Sequence, residues 1–434
     1  MFIYIVASVI KRKNIAKNPQ YKYFVWGILA KIIGAVCLCL IYVYYYKAGG
    51  DTLNYDSDSS ALLRLLFISP PDFLEVWFSP LNRELLSNIH PVTGYLMYGH
   101  DPNAFIVVRL IVPIKLISFG SYLVSSILMA ALSFTGIWKL YCLFCTYYHA
   151  LYKQFAITVL FVPSVVFWGS GLLKDSWTIA AAGWYAFSFY QIFINKRSRL
   201  FYSIALVVAS VIMILIKPYI FLGLLPGSML WMSWSRLTNI KNVYLKIFLA
   251  PLIVAFGLSA GFLVWSFTSS SLGDYSTMDS MLQKAVEASE DLKKEYYQGN
   301  SFDLGSFEPT LAGVISKFPI ATMTGLFRPF IWEVKNMVMF ISAIENMVVL
   351  IFTLYVFFAS PWKFMRITFA NPVVLFCLIF AVFFAFSVAI STSNFGAMVR
   401  LRIPQIPFLL SGLAIIYYEG NRYRRALAQE SFKV

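Results

Sequence analysis

The chain has 434 residues, of which 59% are hydrophobic, 18% aromatic and only 13% charged. Soluble domains carry about 25% charged residues, so this composition excludes an ordinary soluble domain. The formal charge of +15 does not indicate nucleic-acid binding, because the basic residues are scattered in short segments between apolar runs.

Apolar runs of about 20 residues recur along the whole chain and predict a polytopic membrane protein. We therefore expect an all-α fold that forms a single transmembrane domain over residues 1–434. The N-terminal apolar stretch precedes its basic residues, which is the wrong order for a secretory signal peptide, so an interfacial segment is expected there. About ten spans are predicted, at 23–46, 119–145, 154–173, 176–195, 200–216, 219–234, 247–268, 336–358, 371–390 and 403–418.

Short basic segments set the predicted orientation of these spans. They lie at 11–22, 153, 196–199, 236–246, 363–366 and 422–425, all on one side, which should be cytoplasmic. Of the 20 acidic residues, Glu419 and Glu430 fall on that side and Glu345 lies within a span. All the others fall on the opposite side, so both termini are expected to be cytoplasmic.

Two long segments are expected on the external side. The first, 47–118, begins with an acidic motif, contains helix-forming stretches and ends in an apolar run at 103–120 that suits an interfacial helix. The second, 269–335, contains the strongly polar stretch 277–297, which predicts an amphipathic external helix. Cys142 and Cys145 form a CxxC pair without a second pair or a histidine cluster, which favours packing over metal or redox chemistry.

The acidic motif at 49–58 reads Gly-Gly-Asp-Thr-Leu-Asn-Tyr-Asp-Ser-Asp and follows the first full span directly. Its glycines allow the backbone to turn, and its three carboxylates are Asp51, Asp56 and Asp58. A carboxylate at a membrane boundary is a candidate functional group if it opens toward a cavity. A solvated loop that merely ends the helix is the alternative interpretation.

Cations are predicted at the same external level as these carboxylates. The acids and the cations together suit a reaction on a phosphate-bearing lipid. A carboxylate can accept a proton from an attacking hydroxyl, and Arg or Lys can hold a leaving phosphate. The other polar residues at this level are Lys174, Asp175, Lys217, Arg400 and Arg402.

These elements resemble the GT-C glycosyltransferases, integral membrane enzymes that use polyprenyl-phosphate-linked sugars, and in particular bacterial family-39 members. The acidic motif at 50–55 is similar to the family's motif in the first external loop. Residues 163–175 resemble its proline-bearing span that ends near an acidic residue. Residues 400–408, Arg-Leu-Arg-Ile-Pro-Gln-Ile-Pro-Phe, resemble its late Arg-x-Arg-x-Pro-x-x-Pro run. The acids here are spaced rather than adjacent, and the soluble C-terminal domain of some members is absent.

The resemblance implies roles for individual residues. Asp51 would be the general base, with Asp56 or Asp58 as its replacement. Arg400 and Arg402 would grip the lipid phosphate, although interfacial anchoring is the alternative for both. The remaining residues expected to contact substrate are Tyr55, Lys174, Asp175 and Lys217. No metal ligands are predicted, and the cofactor stays unknown because a divalent metal is compatible with the pattern but not indicated by it.

The resemblance also implies a function and a location. The chain would move a sugar from a polyprenyl-phosphate carrier to a glycan, lipid or protein acceptor, on the external face of the bacterial inner membrane, in cell-envelope glycan or glycolipid synthesis. Its partners would be this carrier, the acceptor and membrane lipids, with no nucleic acid. Two alternatives stay open: a lipid-linked oligosaccharide polymerase or ligase, and a flippase or transporter of lipid-linked sugars that performs no chemistry.

Overall fold

The computed structural model describes residues 1–46, 50–197 and 200–239, isolated positions between 245 and 287, and 301–431 apart from 306 and 309. Throughout this described part the regular structure is helical, with no β-strand and one isolated antiparallel bridge between Ser301 and Asn394. The all-α prediction is therefore confirmed for the part that is described. The predicted helix at 277–297 lies outside the described residues except at Gln283 and Glu287.

Twelve α-helices lie in the described residues before position 240, several of them extended by a turn of 3₁₀ or π-helix. They are α1 (Phe2–Asn14), α2 (Phe24–Leu40), α3 (Asp51–Ile68), α4 (Pro70–Phe78), α5 (Arg83–Thr93), α6 (Pro102–Ile117), α7 (Tyr122–Tyr147), α8 (Tyr152–Phe155), α9 (Pro163–Trp168), α10 (Lys174–Phe189), α11 (Leu200–Ile216) and α12 (Pro218–Asn239). Seven more lie within residues 301–431. They are α13 (Leu311–Ser316), α14 (Phe318–Phe327), α15 (Met337–Ala359), α16 (Pro361–Ala370), α17 (Pro372–Ser391), α18 (Phe395–Leu401) and α19 (Gln405–Ser431).

Four described helices are long and apolar enough to cross a bilayer. They are Pro19–Tyr45, Tyr122–Tyr147, Met337–Ala359 and Pro372–Ser391, and they match predicted spans. The pair α18 and α19, bent by 65°, makes a fifth if it is counted as one span. These helices indicate a membrane protein, whereas the total of ten spans stays a prediction. The predicted span 247–268 lies mostly outside the described residues.

The predicted span 154–173 is wrong as a single helix. A π-helical turn at Ala156–Leu160 ends before Val162, which is extended, and α9 then runs only from Pro163 to Trp168. Proline disfavours the helical conformation in the residue before it, which explains the first break. Residues 169–173, which include Gly169 and Gly171, are not helical and lead into α10.

The first long segment is a folded helical unit rather than a loop. Helices α3 to α6 fall within it and contribute most of an apolar cluster that they share with α7, α10 and α11, and that includes Leu62, Leu65, Val76, Val108 and Ile111, all of them buried. A second, larger apolar cluster lies between the long helices. Because α3 packs against α6, and α6 against α7, the first residues of α3 are held at one end of the long helices.

Helices α7 and α10 approach so closely that their backbones touch at paired glycines. A Cβ on Gly183 would lie 2.1 Å from the Gly136 carbonyl oxygen, and one on Gly136 would lie 2.0 Å from that of Ala180. Backbone atoms cannot move aside as a side chain would. We therefore expect Gly183→Ala to lower the free energy of unfolding by about 1–3 kcal/mol.

Gly420→Ala is the matched control for this prediction, because its Cβ would meet Ile367 at an ordinary 3.9 Å. Within a helix that change should be neutral or stabilise by up to about 1 kcal/mol. The measurement is the temperature at which half of the detergent-solubilised protein loses its monodisperse elution. Equal temperatures for the two variants would show that α7 and α10 can separate without cost.

Candidate functional site

Asp51 is the first residue of α3, and its placement depends on the glycine before it. Gly50 has a φ of 126°, a conformation that residues with a side chain rarely adopt. A Cβ at this position would also come within 2.6 Å of the Tyr42 ring at the end of the first span. Both the turn and the close approach therefore require glycine, and together they bring the Asp51 carboxylate beside the ends of the other helices.

Arg400 joins two carboxylates that are distant in sequence. Its Nη1 donates to Asp51 Oδ2 at 2.5 Å, and its Nε lies 3.4 Å from Asp175 Oδ2. The other carboxylate oxygen of Asp175 forms an ion pair with Lys217. Asp51 of α3, Asp175 of α10, Arg400 of α18 and Lys217, the residue before α12, thus form an ion cluster in which charges alternate and sum to zero.

Burial differs strongly across this ion cluster. The side chains of Asp175 and Lys217 are 1% and 6% exposed, whereas those of Asp51 and Arg400 are 39% and 24% exposed. Asp175 lies in the first turn of α10, where the helix dipole favours an acid, and Lys217 precedes the proline that opens α12. The cluster therefore has a sealed side, Asp175 with Lys217, and an accessible side, Asp51 with Arg400.

Tyr98 adds a hydroxyl to the accessible side. Its OH donates to Asp51 Oδ1 at 3.1 Å, so each carboxylate oxygen of Asp51 has one donor. The ring of Tyr98 stacks on that of Tyr55, with centroids 4.4 Å apart, and Tyr55 is buried. The predicted substrate contact Tyr55 thus lies behind Tyr98, where it supports the tyrosine that reaches Asp51.

Lys174 lies at the edge of the ion cluster. Its Nζ is 3.1 Å from Asp101 Oδ2, and both side chains are partly exposed. Asp101 also caps α6 by accepting from the backbone N–H of Ala104. The lysine contributes to the positive potential at Asp51, while its ion pair remains open to solvent.

The electrostatics of the accessible side favour an ionised Asp51. Burial alone would raise the pKa of Asp51, but the Arg400 guanidinium, assisted by Tyr98 and Lys174, holds it below the ordinary value of 3.8. Burial and the neighbouring carboxylate raise the pKa of Tyr98, so its phenol stays protonated and can donate. In this arrangement Asp51 is charged, aligned by two donors, and a weak base.

Asp56 and Asp58, the predicted replacements for Asp51, have other partners. Asp56 forms an ion pair with Lys115 of α6, whose side chain is fully buried. Asp58 is buried, and its two oxygens accept from the backbone N–H groups of Met97 and Tyr98 at 3.1 and 2.8 Å. Burial raises the pKa of both carboxyls. Their contacts hold the first segment together, and those of Asp58 fix the backbone of Tyr98.

Arg402 has partners other than those of the ion cluster, so the structure does not bring the two predicted arginines together, and their role in phosphate binding stays a prediction. Its guanidinium is buried, donates to the carbonyl of Arg328 at 2.8 Å and contacts Asn346. Residues two positions apart on a helical turn point in different directions, and α18 ends at Leu401. Arg402 therefore connects α18 to α15 and to the residues after α14.

Glu345, the acid predicted to lie within a span, contacts Ser164, which is distant in sequence. Its carboxylate accepts from the backbone N–H of Ser164 at 2.8 Å and from the hydroxyl of the same serine at 2.5 Å. Among the described residues, no group of three or more His, Cys, Asp or Glu side chains is placed to hold a metal ion.

No family model, curated protein or solved structure matches this chain. The site is therefore interpreted from its own geometry. That geometry brings together Asp51, Asp175, Lys217 and Arg400, with Lys174 at the edge and Tyr55 in support. Sequence reasoning missed Tyr98 and Lys115, although both lie in the segment 47–118 that it singled out. The polar residues around Tyr98 could have indicated a functional position. The contact between the Tyr98 hydroxyl and Asp51, however, depends on how α5 and α6 pack.

Proposed function

We propose that this chain is a membrane glycosyltransferase that moves a sugar from a polyprenyl-phosphate carrier to an acceptor hydroxyl at the ion cluster. The proposal includes the predicted location, the bacterial inner membrane with the cluster at the external face. One observation supports it above the others: Arg400 bridges Asp51 and Asp175, residues from distant parts of the chain, at one end of apolar helices. The proposed base and the proposed anion-binding cation are thus in contact, at the level that the proposal assigns to the lipid phosphate.

In the proposed reaction the acceptor oxygen attacks the anomeric carbon and its proton passes to Asp51. The bond between that carbon and the phosphate oxygen breaks, and both of its electrons leave with the phosphate. Arg400 would stabilise the phosphate, with Lys174 as a second donor. Asp175 and Lys217 would keep the guanidinium in place from the sealed side.

The resting ion pair suggests how donor binding would activate the base. Asp51 is a weak base while Arg400 holds it, because the guanidinium lowers its pKa. A phosphate that takes over Arg400 would remove this neighbouring cation from Asp51 and add a negative charge nearby. Both changes raise the pKa of a carboxyl, so the base would strengthen when the donor is bound.

This coupling predicts a specific pH dependence of transfer. The acid limb of kcat/KM reports the free protein, where the pKa of Asp51 is lowered, so activity should be lost only as the pH falls below about 3.8. The acid limb of kcat reports the donor complex and should lie at higher pH. The measurement is the initial rate of carrier-phosphate release from about pH 2.5 to 8, at low and saturating donor. Coincident limbs, or the reverse order, would contradict the coupling.

The direct test of the function uses purified protein in liposomes with a panel of polyprenyl-phosphate sugars and hydroxyl acceptors. We expect release of polyprenyl phosphate together with glycosylated acceptor, in equal amounts. A polymerase or ligase would show the same release only with a lipid-linked oligosaccharide as donor. The absence of release with every donor and acceptor would overturn the proposal.

A transporter of lipid-linked sugars is the second candidate, because of two helix breaks near the ion cluster. Helices α18 and α19 are bent by 65° directly after Arg400, and residues 169–173 interrupt the helical path just before Lys174. Transporters place such interrupted helices at their binding sites. Movement of a fluorescent lipid-linked sugar across the liposome bilayer, without phosphate release, would favour this candidate.

A further inference from the structure

A long apolar groove lies away from the ion cluster, and the proposed reaction makes no use of it. It has a volume of about 1090 Å³ and runs between α15, α19 and the segment from Leu151 to Pro163. Most of its lining is aliphatic or aromatic, and on α15 the side chains of Ile341, Ile344 and Val348 are exposed. The groove therefore presents an apolar channel on the outside of a candidate membrane span.

The length of the groove matches one leaflet of a bilayer. Its lining on α19 extends from Leu410 to Arg422, which corresponds to about 18 Å along a helix. The hydrocarbon core of a bilayer is about 30 Å thick, so one leaflet is about 15 Å. A chain that spans a single leaflet would fill this length.

The two ends of the groove differ in charge. At the end nearer the ion cluster lies Glu345, whose carboxylate would repel a phosphate. At the remote end lie Gln154, Asn421 and Arg422, which offer donors and a positive charge. Glu419, one turn before Arg422, is hydrogen-bonded to Tyr148, and the charge of Arg422 also acts on that tyrosine. An anionic headgroup is therefore favoured at the remote end and disfavoured at the other.

We propose that this groove holds one anionic glycerophospholipid from the leaflet remote from the ion cluster, with its phosphate at Arg422 and an acyl chain against α15 and α19. The lipid is a bound component of the fold, separate from any sugar carrier. A polyprenyl phosphate that serves the ion cluster would need its phosphate at the opposite end, beyond Glu345. The inference therefore does not depend on the proposed function.

The test is native mass spectrometry of the full chain, solubilised from vesicles of equal parts phosphatidylglycerol and phosphatidylcholine. We expect one phosphatidylglycerol to remain bound per chain. Val348→Trp places a ring in the groove and should reduce the retained fraction at least about tenfold. Ile351→Trp is the matched control, since Ile351 on the same helix is similarly exposed (58% against 62%) but does not line the groove.

The Arg422→Gln variant tests the contact with the lipid headgroup independently of the contact with the acyl chain. It should abolish the preference for phosphatidylglycerol while phosphatidylcholine still binds, because the apolar lining is unchanged. If Val348→Trp does not elute as a folded protein, Ile157→Trp fills the same groove from the opposite wall, where its side chain is 66% exposed.

Several results would overturn the inference. Equal retention in the Val348→Trp and Ile351→Trp variants would show that the lipid binds elsewhere. An unchanged headgroup preference in Arg422→Gln would remove the proposed phosphate contact. Displacement of the phospholipid by added polyprenyl phosphate, or a dimer whose dissociation exposes the groove, would assign the groove to another occupant.

Discussion

Replacement of Asp51 by asparagine is expected to lower sugar transfer by about 10²–10⁴-fold, the usual contribution of a general base. The amide has nearly the same shape as the carboxylate, and its oxygen can still accept from Arg400 and Tyr98. The variant should therefore express and elute as the wild type does. It would, however, lack the basic oxygen that takes the acceptor proton. The measurement is carrier-phosphate release in liposomes at saturating donor.

Asp72→Asn provides the control for this experiment, because Asp72 lies on α4 of the same segment and is exposed. It should retain the wild-type rate. A wild-type rate in the Asp51 variant would remove Asp51 as the base. The other two acids of the motif would not easily replace it, since the carboxylates of Asp56 and Asp58 are occupied by Lys115 and by backbone N–H groups.

Replacement of Asp175 by asparagine is expected to cost about 3–5 kcal/mol of stability, as breaking one side of a buried ion pair usually does. Asp175 is the shared partner of Lys217 and Arg400, and Lys217 is almost fully buried. Without the carboxylate the ammonium group would remain in the interior with no compensating charge from Asp175. The thermal stability of the detergent-solubilised variant gives the measurement.

The double variant Asp175→Asn with Lys217→Met should recover a large part of that loss. It removes both buried charges and places an apolar side chain of similar length where the lysine was. Asp101→Asn is the control, because its ion pair with Lys174 is exposed and should contribute less than about 1 kcal/mol. Asparagine also remains a good cap for α6. If the double variant were no more stable than the single one, an unpaired buried charge would not be the cause.

The ion cluster links the two predictions through one alternating row of charges. Asp51 and Arg400 form the accessible end, where the donor phosphate would replace Asp51 as the partner of Arg400. Asp175 and Lys217 form the sealed end. Because Asp175 is held by Lys217, it keeps the Arg400 guanidinium in position when the other partner of Arg400 changes from Asp51 to phosphate. We therefore expect changes at Asp51 to affect mainly activity and changes at Asp175 to affect mainly stability.

Much of the general architecture could be predicted from the sequence, because it depends on local composition. Apolar runs long enough to cross a bilayer predicted the helical membrane class, and four of them match long apolar helices. The glycine before Asp51 predicted a sharp turn at that point, and Gly50 adopts a positive φ there. The interruption of the predicted span 154–173 was missed, although Pro163 marks its position, because apolarity alone does not distinguish a continuous helix from a broken one.

The selection of site residues could not be predicted in the same way. Arg400 and Arg402 are equivalent in the sequence pattern, yet one reaches Asp51 and the other contacts Asn346 and backbone carbonyls. Asp56 and Asp58 are as acidic as Asp51, yet they hold α3 to its neighbours. These differences arise from the direction in which each side chain leaves its helix and from what lies opposite it.

By itself, then, the sequence determined that this chain forms apolar helices with acids and cations at their ends, since hydrophobic runs and helix-breaking residues act over a few turns. Only the tertiary structure decided that Arg400 joins Asp51 and Asp175, which are 349 and 225 residues away from it. Contacts over such separations depend on how α3, α10, α12 and α18 pack together. No local pattern encodes that packing, because each helix end meets its partners only after the whole bundle has formed.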